Sequence, residues 1–444
     1  MGNGIPADAV KIYLDCGEKN AAPARRADNG WPFGCTEVRN LMAYDGKLFV
    51  GTGLWTDVPT AGDVQNPGCA IMRLDSGGDP LVIEHSFTGA DTAVCLLHVA
   101  RFEKPVKFTV PIASTWKNKS THIYYRDYPS SSWHYARDIK PLTDDGTPQV
   151  RSAFNYTDPI TGISLLFLGH SNGIYSLGHD PDARGGLGEL TLELDTTDFP
   201  PNTTEKQAPA RVMSFNVMSG KLYATIFNRL FERQNGVAPT WERVWEDVDI
   251  GTSDSGLRGL THGGGDPGYF FVARTSNKCA ILRLVPEAGG WRHTIEYDLD
   301  VEVAKAWSEL YGGKVTVTYG IAGYNDMVWF QAPGSPHWSL FVGFQAFVGE
   351  HPSSLPTIAM DNDTVMALGC YLVFNFQGRG EWRLNHLPAV TSQSMVSCRV
   401  GCPAPFPNGT RFFIGGYDCN FEPSHNSGFL VALDMDRMIE GAIS

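Results

Sequence analysis

The segment DGKLFVGTG, residues 45–53, reads as a tight turn followed by a short strand whose bulky apolar side chains run up to a small residue, Gly51. The pattern returns. LFVGT (48–52) is followed by LFLGH (166–170), LYATI (222–226), FFVAR (270–274), LFVGF (340–344) and FFIGG (412–416), with a degenerate copy, VPIAS, at 110–114. Each copy runs apolar, aliphatic, small, then variable, and a small residue is needed where neighbouring strands crowd together. A first strand precedes each copy: VRNLMAY from Val38, VCLLHVA from Val94, VRSAFNY from Val150, VMSFNVM from Val212, LRGLTHG from Leu257, YGIAGYN from Tyr319 and VSCRVGC from Val396. Outer strands tend to start at a tryptophan, as at Trp133, Trp241, Trp291 and Trp382. A repeat of about 60 residues built this way predicts a β-propeller. Residues 1–444 are therefore read as one all-β propeller domain. Seven four-stranded blades fit best, and the long, irregular sixth unit leaves six or eight open. The last unit has three obvious strands, and VKIYLDC (10–16) is expected to supply its fourth, so that no edge is left open.

The bulk composition agrees. The chain has 48 glycines, 28 prolines and 11% aromatic residues, which suits many tight turns between bulky strands. Helical periodicity is confined to VEVAKAWSELY (301–311) and a stretch near 434–443. A net charge of −13 with no basic run argues against nucleic acid and against an anionic membrane surface as partners. No apolar run approaches the ~20 residues of a membrane span. The opening residues lack a basic, apolar leader, so a signal peptide is absent or removed. Nine cysteines form no CxxC pair, which counts against zinc. Cys16 with Cys35, and Cys398 or Cys402 with Cys419, are the expected disulfides. Sequons at Asn118, Asn155, Asn202, Asn362 and Asn408 point with the cysteines to a glycosylated protein of the secretory pathway.

In a four-stranded blade the first strand starts at the end where the second stops, and long loops cluster there. Gly53–Gly68, the segment after Phe344, and Gly416–Gly428 are such loops. At the start of the first strands, Arg39, Arg151 and Arg258 each follow an aliphatic residue at one repeat position. Guanidiniums so placed clamp an anionic or enolic oxygen, or else tie blades together through carbonyls and acids. The ends of the second strands bring Trp55, Trp116, Phe227, Phe344 and Tyr417 to the same mouth, with His170 and Arg274 at polar positions; Tyr319, Asp418 and His425 belong to the same lining. Aromatic walls with a few convergent polar groups suit a small apolar molecule. His170 and His425 are the candidate acid–base groups. The FN, FN and YN pairs at Asn155, Asn216 and Asn325 suggest a calcium ring but fall at turns on the opposite face. With no GxSxG, HExxH or phosphate-binding glycine loop, neither metal nor cofactor is expected.

In overall shape the chain resembles the strictosidine-synthase and gluconolactonase propellers, without a convincing set of calcium ligands. A narrower likeness is carried by IPADAVKIYLDCGE near the start, SGLRGLTHGG around Arg258 and IGGYDCNFEPSHNSGFLVAL near the end. Through these segments the chain is similar to the fungal propeller hetero-Diels–Alderases of tropolone–sesquiterpenoid biosynthesis. The resemblance implies a pericyclic coupling of a tropolone quinone methide with a humulene-type alkene. In that reading Arg39, Arg151 or Arg258 bind the tropolone oxygens, the aromatic residues form the walls, and His170 or His425 assists loss of water. A calcium-dependent lactonase and a non-catalytic, lectin-like propeller are the competing classes.

Overall fold

The computed structural model describes residues 9–15, 36–53, 68–87, 91–117, 120–128, 130–140, 149–197, 199, 210–251, 254–265, 268–324, 327–359, 365–367, 369–376, 380–387, 395, 397–418 and 427–440. The fold is an all-β propeller of four-stranded antiparallel blades. Among the described residues α-helix is confined to Leu299–Tyr311 and Met435–Glu440, close to the two stretches with helical periodicity. No helix among them is long and apolar enough to cross a membrane. The chain divides into two compact units. The first takes in Met1–Ala93, Asn277–Ala280 and Tyr297–Ser444; the second takes in Val94–Ser276 and Ile281–Glu296.

In the second unit, consecutive strands pair in sequence order. Val150–Thr157, Ser164–His170, Gly173–Leu177 and Thr191–Asp195 form one four-stranded sheet. Val212–Met218, Lys221–Ile226, Arg229–Gln234 and Thr240–Glu246 form another. Burial falls from the inner strands outward: Ser164–His170 is almost wholly buried, whereas Thr191–Asp195 is half-buried or exposed. This explains why the second strands carry the most regular apolar motif. Asn155 and Asn216, which sequence placed at turns, instead tie neighbouring first strands. Asn155 accepts from the Arg101 N–H (2.9 Å) and donates to the Val99 carbonyl (2.9 Å), and Asn216 donates to the Leu260 carbonyl (3.1 Å).

In the first unit, Glu37–Tyr44, Lys47–Gly53, Cys69–Leu74 and Val82–Phe87 run as one meander. Ser397–Pro403, Arg411–Asp418 and Ser427–Asp434 form the last. Its fourth strand is the N-terminal Val10–Asp15, antiparallel to Ser427–Asp434, the partner expected from sequence. The sixth repeat differs in register. Its second strand, Ser339–Val348, is long, and both neighbours are broken in two. Val328–Phe330 pairs with the LFVGF end, while Val317–Ala322 pairs with the later half, Ala322 opposite Phe344 and Val317 opposite Val348. YGIAGYN thus meets LFVGF only at Ala322 and Gly323, and the residues just after Phe344 are strand rather than loop.

The motif's small residue has a defined neighbour. A Cβ on Gly169 would lie 2.8 Å from the Val212 carbonyl oxygen, and one on Gly415 would lie 3.1 Å from Val38 Cβ. A Cβ on Gly343 would press into the Cys398 carbonyl oxygen. In each case the first strand of the next blade stands in the way, joined at Gly169 by Ser152 Oγ of its own blade, so the glycine sets how closely blades pack.

Candidate functional site

The first strands share an irregularity that the sequence does not announce. The ladder of Glu37–Tyr44 slips between Val38 and Asn40, and that of Ser397–Pro403 slips between Cys398 and Val400. The bulged residues are Arg39 and Arg399. In the second unit the same slip occurs between Val150 and Ser152, at Arg151, and between Val212 and Ser214, at Met213. A bulge leaves one residue unpaired and turns its side chain away from the regular alternation. Arg258 pairs with Ala273 immediately before the irregularity in its own strand.

In the first unit the two bulged arginines meet one carboxylate. Glu37 is fully buried; Arg39 Nε lies 3.1 Å from its Oε2, and Arg399 Nη1 contacts its Oε1. Strand pairing places Glu37 opposite Tyr417, at the end of Arg411–Asp418. The Arg399 guanidinium lies over two aromatic rings, 4.2 Å from the centroid of Tyr324 and 5.3 Å from that of Tyr417. Such cation–π contacts hold the planar cation in place and leave its edge for hydrogen bonding. The two tyrosine hydroxyls lie 3.0 Å apart and both donate to Gln345 Oε1, Tyr417 at 2.8 Å. Ser397 Oγ donates to the Tyr324 hydroxyl at 3.0 Å. Tyr324, Gln345, Ser397, Arg399 and Tyr417 are all buried, and Ile321 packs against the tyrosine pair. The result is a buried, hydrogen-bonded polar cluster packed against two aromatic rings.

Of the residues singled out from sequence, this cluster contains Arg39 and Tyr417. Glu37, Tyr324, Gln345, Ser397 and Arg399 were missed. Arg399 occupies the repeat position of Arg39, but it follows Cys398 rather than an aliphatic residue, which hid it. Tyr324 and Gln345 were obscured by the register of the sixth repeat. Phe344 is fully buried, and Tyr319 is half-buried with its ring 5.8 Å from Phe347. Asp418 pairs through its backbone with Ser427. Trp55 and His425 lie outside the described residues.

In the second unit, Arg151 and Arg258 are buried, and Trp116 is half-buried. Phe227 occupies a hairpin turn in the left-handed region (φ 53°), with its carbonyl accepting from the Leu257 N–H at 2.7 Å. It therefore orders backbone as much as it offers a ring. Arg274, read as a ligand contact, is a buried tie: Nε and Nη2 bond the two oxygens of Asp247 at 2.7 and 3.1 Å, and Nη2 lies 3.3 Å from Asp249.

His170 is fully buried and bonded at both ring nitrogens, Nε2 to Thr121 Oγ1 at 3.1 Å and Nδ1 to Asn172 Oδ1. Burial pushes its pKa from 6.5 down to about 4, against the opposing effect of its hydrogen bond to Asn172. It is neutral near pH 7 and lacks the imidazolium proton that a general acid would give. The sign of its pH effect follows. The unfolded chain protonates this histidine near pH 6.5 and the folded chain only near 4, so stability is complete above pH 6.5 and falls as pH drops toward 4. The loss is expected to level off at about 3 kcal/mol. Urea unfolding across that range measures it, and the His170→Gln chain is expected to lack this part of the slope.

No group of three or more His, Cys, Asp or Glu side chains among the described residues is arranged to hold a metal ion. Cys398 and Cys402, expected as bridge partners, carry free buried thiols, and burial pushes Cys402 up to about 12. Cys16, Cys35 and Cys419 lie outside the described residues.

No family model matches the chain, and no curated protein matches it. Solved structures do. An α-L-arabinanase from Penicillium chrysogenum is 10% identical, with 90% of this chain and 94% of that one covered at a TM-score of 0.42. The periplasmic gluconolactonase of Pseudomonas aeruginosa is 11% identical, covering 87% and 96%, with a TM-score of 0.45. Sqt1 of Saccharomyces cerevisiae is 10% identical, covering 91% and 97%, also at 0.45. None of these likenesses bears on activity.

Proposed function

We propose that the chain is a pericyclase that holds an apolar, enolic substrate against the Glu37–Arg39–Arg399 group and joins it to an alkene by hetero-Diels–Alder cycloaddition. In the form the sequence resemblance suggests, the partners are a tropolone quinone methide and a humulene-type sesquiterpene. One observation carries the reading: two bulged guanidiniums converge on one buried carboxylate, and one of them is stacked on paired tyrosines. Glu37 fixes the direction of both cations. Their N–H donors favour a partly negative oxygen on the heterodiene and strengthen as charge develops in the transition state. The aromatic surface receives the apolar partner. Holding both in a reactive orientation removes much of the entropic barrier, and a dry site protects a quinone methide from water. His170 has no part in it, and Arg274 belongs to the scaffold.

The test is product formation. Purified chain incubated with a hydroxymethyl tropolone precursor and humulene is expected to give one stereoisomer of the dihydropyran adduct, faster than buffer alone. Adduct at the buffer rate and stereochemical mixture overturns the proposal. Opening of a lactone substrate that stops with a calcium chelator would replace it with the hydrolase reading.

A further inference from the structure

A separate feature belongs to the second unit, where exposed apolar side chains gather on hairpin turns. Val106 lies between Asp91–Phe102 and Phe108–Lys117, and Tyr128 between Ser120–Arg126 and Trp133–Ile139. Ile160 and Ile163 lie between Val150–Thr157 and Ser164–His170, and Val237 between Arg229–Gln234 and Thr240–Glu246. Their exposures, in the order Val106, Tyr128, Ile160, Ile163 and Val237, are 55, 77, 71, 48 and 98%. All are turns between first and second or third and fourth strands. In an antiparallel blade those turns share one end.

Hydrogen bonds join the turns across blades. The Glu103 and Lys104 N–H groups donate to Ser164 Oγ, each at 3.1 Å, and the Ser164 N–H donates to the Lys104 carbonyl at 3.2 Å. Asp158 links the next pair. Its Oδ1 accepts from the Ile160 and Thr161 N–H groups at 2.9 and 3.1 Å. Its Oδ2 accepts from the Gly236 N–H at 3.0 Å and Arg233 Nη1 at 2.8 Å. One buried carboxylate thus caps the turns carrying Ile160 and Val237. The Ile160, Thr161 and Gly236 amides are satisfied from within, so these turns can approach a non-aqueous phase without stripping those donors of their partner.

We propose that this end of the second unit is a docking surface for a lipid bilayer, with the turn tips inserted and Tyr128 at the headgroup level. Single apolar side chains on the tips of separate turns make no groove for a peptide, but each loses its water independently on entering hydrocarbon. Arg101, Lys104 and Lys107 are exposed beside Val106, with Glu103 the one carboxylate in that stretch, and suit anionic headgroups. The net charge of −13 opposes general adsorption, so attachment depends on these turns.

The experiment is flotation of the full chain with vesicles of phosphatidylcholine alone and of phosphatidylcholine with phosphatidylserine. The chain is expected to float with the mixed vesicles and less with the neutral ones. Ile160→Glu with Val237→Glu is expected to weaken binding by about tenfold or more at an unchanged melting temperature. Both side chains are largely exposed, and Val237→Glu alone serves as the milder variant. A wild-type chain that stays unbound with both vesicles overturns the proposal, and so does a variant that floats as well as wild type. Self-association of the wild type that the variant abolishes, without vesicle binding, would make this face a protein interface instead.

Discussion

Replacing Glu37 by glutamine is expected to lower the stability of the chain by about 3–5 kcal/mol, measured as the shift in urea unfolding. The substitution keeps the shape and removes the one charge that Arg39 and Arg399 share. Both buried guanidiniums then lose their ion pair with residue 37. The attraction within such a group only offsets the desolvation of its charges, so the cost of removing one partner exceeds what the pair contributes when intact. Glu37→Gln should therefore be among the most damaging single-atom exchanges in the first unit. A change below about 1 kcal/mol would mean that the carboxylate does not balance the arginines.

Replacing Arg399 by methionine is expected to act in the opposite way. Glu37 and Arg39 remain as a balanced pair, and the methionine chain can still cover the rings of Tyr324 and Tyr417. Stability should change far less than in Glu37→Gln. Turnover of the tropolone substrate, however, should fall by about 10²–10³-fold, as when one preorganised donor to a developing oxyanion is removed. Comparing kcat/KM with the unfolding midpoint separates the two roles. Lost stability with retained turnover would make Arg399 a tie between strands, as Arg274 is through Asp247.

The contrast between Arg39 and Arg274 shows how far the sequence could be read. The repeat was legible because a central strand must be apolar on both faces and must carry a small residue against the next blade, as Gly169, Gly343 and Gly415 do. The pairing of Val10–Asp15 with the last strand was legible for the same reason: an unfinished blade and an unassigned strand fit each other. The arginines were legible as a recurring position, but not their partners. Asp247 reaches Arg274 from 27 residues upstream, and no local pattern marks it. Arg399 was hidden by one Cys in place of an aliphatic residue. In the sixth repeat a second strand of 10 residues split both neighbours, so periodicity put Tyr319 where Val328–Phe330 pairs and left Tyr324 and Gln345 unnoticed. His170 fell at a position that looked like part of a mouth, and the fold closed Thr121 and Asn172 around it.

If the bulged arginines of the first unit clamp an enolic oxygen, titration calorimetry with tropolone at neutral pH detects it. Wild-type chain is expected to bind tropolonate with a favourable enthalpy, and Arg399→Met to bind at least about tenfold more weakly at nearly the same unfolding midpoint. Equal affinity in the two chains, or no binding by the wild type, would assign both guanidiniums to holding the strands together and leave the clamp without a ligand.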